Sequence, residues 1–206
     1  MLFAKVDLPL LNKKQTTTDI LAVKEDLWFW DSYRGTSMLP LMTKGGLEKA
    51  NGASNGRQGD FVWTSYTPTI VKDWFDKIVF PWMGMQTRVM ALKTKPNVAN
   101  KEHIDCEPHN MGSQQHKFRV VLQGNVATLY FKTQSGDQYA PMIEESFIMD
   151  GSWPHGMINT TDDLKITLAA GAPWNGNQKY DNIDVLMKCS DYRMPVDLKE
   201  FFNKPR

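Results

Sequence analysis

The stretch HIDCEPHNMGSQQHKFRVVLQGNVATLYFKTQSGDQYAPMIEESFIMDGSWPHGMINTTDDLK, from His103 to Lys165, decides the reading of this chain. It opens on His103-Ile104-Asp105, carries Arg119 in a strand-like run, and closes on His155 with Lys165 ten positions later. All four histidines of the chain, His103, His109, His116 and His155, lie inside it. Residues 117–123 and 126–131 flank Gly124-Asn125, a two-residue hairpin signal. If Gln123 faces Val126, then Arg119 faces Tyr130 and Phe118 faces Phe131. One face then gathers Phe118, Val120, Leu122, Ala127, Leu129 and Phe131, and the other carries Arg119, Val121, Thr128 and Tyr130. Side chains alternate with period two, so a slip of one residue would undo that separation. Residues 146–150 form another short strand, and 155–159 with 164–168 read as a second hairpin. A turn centred on Thr160 sets His155 beside Lys165, Cβ atoms about 5 Å apart; one centred between Thr161 and Asp162 sets them on opposite faces.

Working outward, residues 87–93 read as a strand, and a loop over 94–101 with Pro96 leads into the His103 strand. Before that, Ile70, Val71, Trp74, Phe75, Ile78 and Val79 recur at helical spacing. Pro68 is tolerated in the first turn of that helix, and Pro81 is expected to end it. Residues 44–60 are rich in Gly and Asn and form a loop, either plain surface or a cover over a site. Thr18 or Asp19 is the expected N-cap of a helix carrying Ile20, Leu21, Val23 and Leu27. Residues 1–12 offer an outer strand; 28–34 are aromatic and too short to assign by periodicity. Downstream, 183–187 form a strand, and 197–202 a helix that buries Phe201 and Phe202. Helices flanking a run of short antiparallel strands define a mainly β (α+β), jelly-roll-like barrel with helical packing. The expected organisation is a single domain over 1–206: a helical and loop support over 1–84, a barrel over 85–190 and a terminal helix over 191–206.

A chain of 206 residues is long enough for one sizeable core. Twenty-four basic side chains meet 23 acidic ones, which points away from nucleic acid and from anionic membranes. No apolar run approaches the roughly 18 residues that span a bilayer, and the N-terminus lacks a signal-peptide pattern. A soluble, cytoplasmic protein is expected. Cys106 and Cys189 match no zinc spacing and are expected to be reduced.

His103 and Asp105, two apart on a strand, leave the same face and can reach one metal ion. His155 can supply a third ligand from another strand. Two imidazoles and one carboxylate suit Fe(II) and leave three of six positions open, enough for O2 and a bidentate organic co-substrate. Lys165 is the first candidate for the cation that holds the far end of a dianionic co-substrate, and Arg119 the second. Tyr130, opposite Arg119 in the expected hairpin, adds a hydroxyl. A buried cation is costly unless paired, so a bound carboxylate is its natural partner.

These residues resemble the Fe(II)- and 2-oxoglutarate-dependent oxygenases, within them the aspartyl/asparaginyl β-hydroxylase-like branch. The resemblance covers about residues 85 to 170. It rests on Arg88-Val89-Met90-Ala91-Leu92 leading into His103-Ile104-Asp105, on Phe118-Arg119-Val120-Val121-Leu122, and on residues 150–159 running to Lys165. It implies a double-stranded β-helix with His103, Asp105 and His155 as iron ligands. It further implies that Lys165 meets the distal carboxylate of 2-oxoglutarate, with Arg119 a second partner, and that a C–H bond of an amino-acid, peptide or small-molecule substrate is hydroxylated. Lys165 stands where the branch usually has Arg. Pro108-His109 resembles the first-histidine pattern of animal members; in that register His109 would replace His103 and Asp105 would lose its role. Otherwise His109 and His116 are expected in loops or at the rim. Two other functions fit a metal-binding or plain barrel: a cupin-like non-redox isomerase, lyase or binding module, and a non-catalytic jelly roll. Fold alone does not choose among them.

Overall fold

Thirteen strands make up the β-structure of the described residues: β1 (Phe3–Val6), β2 (Phe29–Asp31), β3 (Thr36–Lys44), β4 (Phe61–Trp63), β5 (Val89–Thr94), β6 (Ala99–His103), β7 (His116–Gln123), β8 (Leu129–Thr133), β9 (Gly136–Tyr139), β10 (Ser146–Asp150), β11 (His155–Ile158), β12 (Lys165–Ala172) and β13 (Ile183–Met187). The computed structural model describes residues 1–32, 34–45, 61–105, 116–124, 128–133, 135–141, 146–172 and 180–188. The expected loop beyond Gly45 and the expected terminal helix lie outside these residues.

The strands form two antiparallel sheets. The larger has the order β13-β1-β10-β7-β12-β5-β3-β2 with β4 against β3, and the smaller the order β6-β11-β8-β9. From β5 to β12 the chain changes sheet at every connection except β8 to β9. Four strands of this run, β10-β7-β12-β5, face the four of the smaller sheet. This is the double-stranded β-helix.

Neither expected hairpin forms. β7 pairs with β10 and β12, whereas β8 pairs with β11 and β9 in the other sheet. β11 pairs with β6 and β8, whereas β12 pairs with β5 and β7. Arg119 therefore does not face Tyr130, and His155 is not a cross-strand neighbour of Lys165. The physical reason is burial on both faces. Phe118, Val120 and Leu122 pack outward in one cluster with Trp74, Phe75 and Phe80, while Val121 joins Leu129, Phe131, Phe147 and Met149 inside the barrel. A two-stranded ribbon could cover only one of these faces. Gly124, at φ +91, turns the chain out of β7.

The outer cluster is roofed by helices. α1 (Lys13–Leu21) starts earlier than expected: Asn12 is its N-cap and accepts from the Gln15 N–H at 3.1 Å. Of its residues only Thr16, Thr17 and Ile20 are buried. α2 (Thr69–Trp74) follows Pro68 and continues through a wide π turn (Phe75–Val79) into α3 (Phe80–Met83). Pro81 therefore does not end the helix. Its ring and missing N–H would conflict with the carbonyl four residues back, and the π turn holding that residue, Lys77, widens the backbone there. Gly84, at φ +74, ends the helix instead. Residues 1–84 also hold four strands, so they are more than a helical support. β1 is interior, between β10 and β13. β3, with Pro40 at a register shift, extends the large sheet beyond β5.

Candidate metal centre

His103 ends β6, and His155, which begins β11, lies directly opposite it in register. Their rings are 4.5 Å apart. Asp105 follows two residues after His103, where its backbone N–H donates to the Gly151 carbonyl at 2.9 Å. His103 Nε2 lies 3.2 Å from one Asp105 oxygen and His155 Nε2 3.7 Å from the other. One ligand atom from each of the three residues can be chosen so that all lie within 4.8 Å of one another. Metal–ligand bonds of about 2.1 Å set neighbouring octahedral ligands about 3 Å apart, so the three residues fit one ion with small adjustments.

The surrounding chain sets the protonation of His155 and Asp105. His155 Nδ1–H donates to the Trp153 carbonyl at 2.8 Å, which leaves the Nε2 lone pair aimed at Asp105. Burial, then the neighbouring His103, lowers the His155 pKa to about 3, so its imidazole is neutral. Burial alone would raise the Asp105 carboxyl. The hydrogen bond from His103, then the neighbouring His155, His103 and Lys117, outweigh that and hold it well below the usual carboxylate range. Asp150 braces the turn before His155 by accepting from the Ser152 N–H at 3.0 Å and from its hydroxyl. Two imidazoles and an ionised carboxylate are what an open divalent-metal site needs.

Basic side chains line the facing sheet. Arg119 Nη2 approaches the Asp105 carboxylate at 3.3 Å. Lys165 lies in register with Thr94 on the inner face of β12. It is 3% exposed, and its Nζ rests against Met157 Sδ, two residues from His155. Lys165 thus shares the barrel interior with His155 by reaching across it from the opposite sheet. Burial, then Arg119, lowers its pKa to about 7. Thr94 and Thr36, both 2% exposed, hydrogen-bond each other at 3.1 Å in the same inner row.

Tyr130 is a correction. Its strand partner is Gly156, and its neighbours along β8, Leu129 and Phe131, are the residues that point inward. Tyr130 therefore sits on the outer face of the small sheet against Tyr139, with ring centroids 5.7 Å apart, where it offers nothing to the interior. His116 is also not at a rim: it is 1% exposed at the start of β7. Trp153 packs in the inner core. His109 and Cys106 lie outside the described residues. Sequence reasoning did not place Arg88 and Lys117 on the inner side of the large sheet. Each lies two positions before an inward residue, Met90 or Arg119, and strand period would have placed both.

No family model matches the sequence, and no curated protein matches it. Solved structures share the fold. They include an oxidoreductase of the 2OG-Fe(II) oxygenase family from Burkholderia pseudomallei, 10% identical, with 79% of this chain and 80% of that chain covered and a TM-score of 0.52. A prolyl-4-hydroxylase from Pseudomonas putida is 7% identical over 84% and 93% of the two chains, with a TM-score of 0.50. A prolyl hydroxylase from Trichoplax adhaerens, in complex with a hypoxia inducible factor oxygen degradation domain peptide fragment, is 10% identical over 82% and 83%, also at 0.50. The class defined here is a double-stranded β-helix with an inward His-Asp-His cluster. Among the described residues no helix is long and apolar enough to cross a membrane.

Proposed function

We propose that the protein is an Fe(II)- and 2-oxoglutarate-dependent dioxygenase. One observation carries the reading: His103, Asp105 and His155 converge inside the barrel while Lys165, buried on the facing sheet, points into the same interior. His103, Asp105 and His155 would hold the iron and leave adjacent positions open. Bound there, the metal supplies the means to activate O2 against 2-oxoglutarate. The balance is one substrate C–H, one O2 and one 2-oxoglutarate consumed, and one C–OH, one succinate and one CO2 released. Lys165 would hold the distal carboxylate of 2-oxoglutarate as a point charge. Arg119 would steady Asp105 and add positive potential beside the co-substrate. The apolar inner wall of Phe131, Phe147 and Trp153 keeps the interior dry. The aspartyl/asparaginyl β-hydroxylase-like branch, a cytoplasmic setting and an amino-acid, peptide or small-molecule substrate complete the proposal, the branch on its motif residues alone.

The test is anaerobic. Fe(II) and then 2-oxoglutarate are added to metal-free protein, and the weak visible charge-transfer band of a chelated 2-oxoacid is sought. The band is expected in the wild type, absent in His155→Ala, and shifted to higher co-substrate concentration in Lys165→Ala. Iron binding without a band would favour the non-redox cupin-like reading, and no metal binding would leave a plain binding module.

A further inference from the structure

The inner face of the large sheet is organised in rows across its strands. Lys165, Thr167, Ala169 and Gly171 alternate along the inner face of β12. Ala169 is paired with Met90 on one side and Arg119 on the other, and this is the row at the level of Asp105. The next row lies toward the end where the chain leaves β6 and β12. There Gly171 is paired with Lys117, and Arg88 stands one residue beyond the Val89–Ala170 pair. Thr87 ties that approach to the same glycine, its hydroxyl donating to the Gly171 carbonyl at 2.9 Å. Two cations thus flank a residue with no side chain.

Lys117 is 4% exposed, and its charge is felt at Asp105. Burial lowers the Arg88 pKa to about 10; Asp105 opposes that, and Arg119 and Arg34 add to it. Arg88 stays a cation in neutral solution, and Lys117 stands across Gly171 from it. A bound metal dication would add to this positive field. Lys165 lies six residues along the same strand, about 20 Å from Gly171, so the acid that meets Lys165 is not an acid seated over Gly171.

We infer that the substrate itself carries a carboxylate, which docks over Gly171 between Arg88 and Lys117 and presents the rest of the molecule to the metal centre. This rests on the oxygenase reading and adds the chemical class of its substrate. Neither cation touches the reacting atoms; both select and orient.

The test uses the whole 206-residue chain loaded with redox-inert Zn(II) and saturated with 2-oxoglutarate, probed by ligand-observed saturation-transfer NMR. The probes are small organic acids and short peptides with a free C-terminus, each beside its matched primary amide. Acid members are expected to bind at least about tenfold tighter than their amides, as a hydrogen-bonded charge pair would give. Arg88→Gln and Lys117→Gln are each expected to lose that preference. Arg88→Lys, which keeps the charge, is expected to retain most of it, which separates charge from folding. Whether peptides or only free acids show the preference tells the two sources of the carboxylate apart. The inference is overturned if acids and amides bind alike, if no acid binds, or if both Gln variants keep the preference. Fe(II) and 2-oxoglutarate absorbance on the wild type runs in parallel. A missing band with the acid preference intact removes the oxygenase reading and leaves the anion site, and the reverse pattern removes only the inference made here.

Discussion

Lys165 links burial to co-substrate binding at the scale of one residue. Its ammonium is half deprotonated near pH 7 in the empty barrel, because burial penalises the charge. A dianionic acid beside it restores the charged form, so binding above about pH 7 takes up a proton. The sign follows from linkage: affinity for 2-oxoglutarate is full below about pH 7 and falls as pH rises, approaching tenfold per unit. Titrations of the charge-transfer band between about pH 6 and 9 check this. Lys165→Arg is expected to flatten the profile, since a guanidinium stays protonated; a flat wild-type profile would remove Lys165 from the site. Gly124 supports the same side chain. A Cβ there would lie 3.1 Å from the Cα, Cβ and Cγ of Lys165, at a φ of +91 that L residues avoid. Gly124→Ala is expected to cost about 1–3 kcal/mol and to raise the 2-oxoglutarate requirement, read from thermal melts and the same titration. At this scale the sequence was most legible. His103 and Asp105 come together as their spacing of two suggested, although β6 ends at His103 and the bond from the Asp105 N–H to the Gly151 carbonyl holds Asp105 just past the strand. Tyr130 was misplaced because its role depended on facing Arg119 across a turn.

Elements were legible as segments and less so as partners. β5, β7, β10 and β13 lie close to where the sequence put strands, because each carries a short run rich in apolar residues. Their pairing was hidden. Gly124-Asn125 looks like a hairpin turn, but a strand buried on both faces must lie between a core and a roof, and its neighbours in sequence go to the facing sheet. β3 escaped notice because Pro40 interrupts it, and the start of α1 was set too late because its sequence, KKQTTTDIL, has almost no apolar stripe. That polarity makes the cap matter. α1 has no acidic residue in its first turn and no basic residue in its last, and among the described residues the Asn12 side chain serves one of its first orphan amides, that of Gln15. Asn12→Ala is expected to lower stability by about 1 kcal/mol, measured by denaturant melts; no change would mean that tertiary packing alone holds the helix. Phe118 is 0% exposed, with its ring 5.5 Å from Trp82 and 6.1 Å from Trp74. Phe118→Ala is expected to cost about 3–5 kcal/mol, several times the cap.

Across the whole molecule, chemistry is divided between the sheets. His103 and His155 belong to the small sheet, with Asp105 just past its β6 edge, whereas Arg119, Lys165, Arg88 and Lys117 stand on or beside the large one. This division could not be read from sequence, because it follows from which strands the chain sends to which side. It has a thermodynamic consequence. A metal ion alone joins groups within and beside one sheet; 2-oxoglutarate chelated to that metal and held by Lys165 joins both. A ligand at 100 times its Kd stabilises the folded state by about 2.7 kcal/mol, which for a chain of this size is a rise of about 5–10 °C in Tm. Zn(II) is expected to give one such step and 2-oxoglutarate a second that appears only after the metal. His155→Ala is expected to lose both steps, because without the metal the co-substrate has only its distal end to hold. Lys165→Gln is expected to keep the metal step and lose most of the second at the same ligand concentration. Scanning calorimetry of the four combinations decides it. A full 2-oxoglutarate step without metal, or one undiminished in Lys165→Gln, would mean that the co-substrate does not bridge the two sheets.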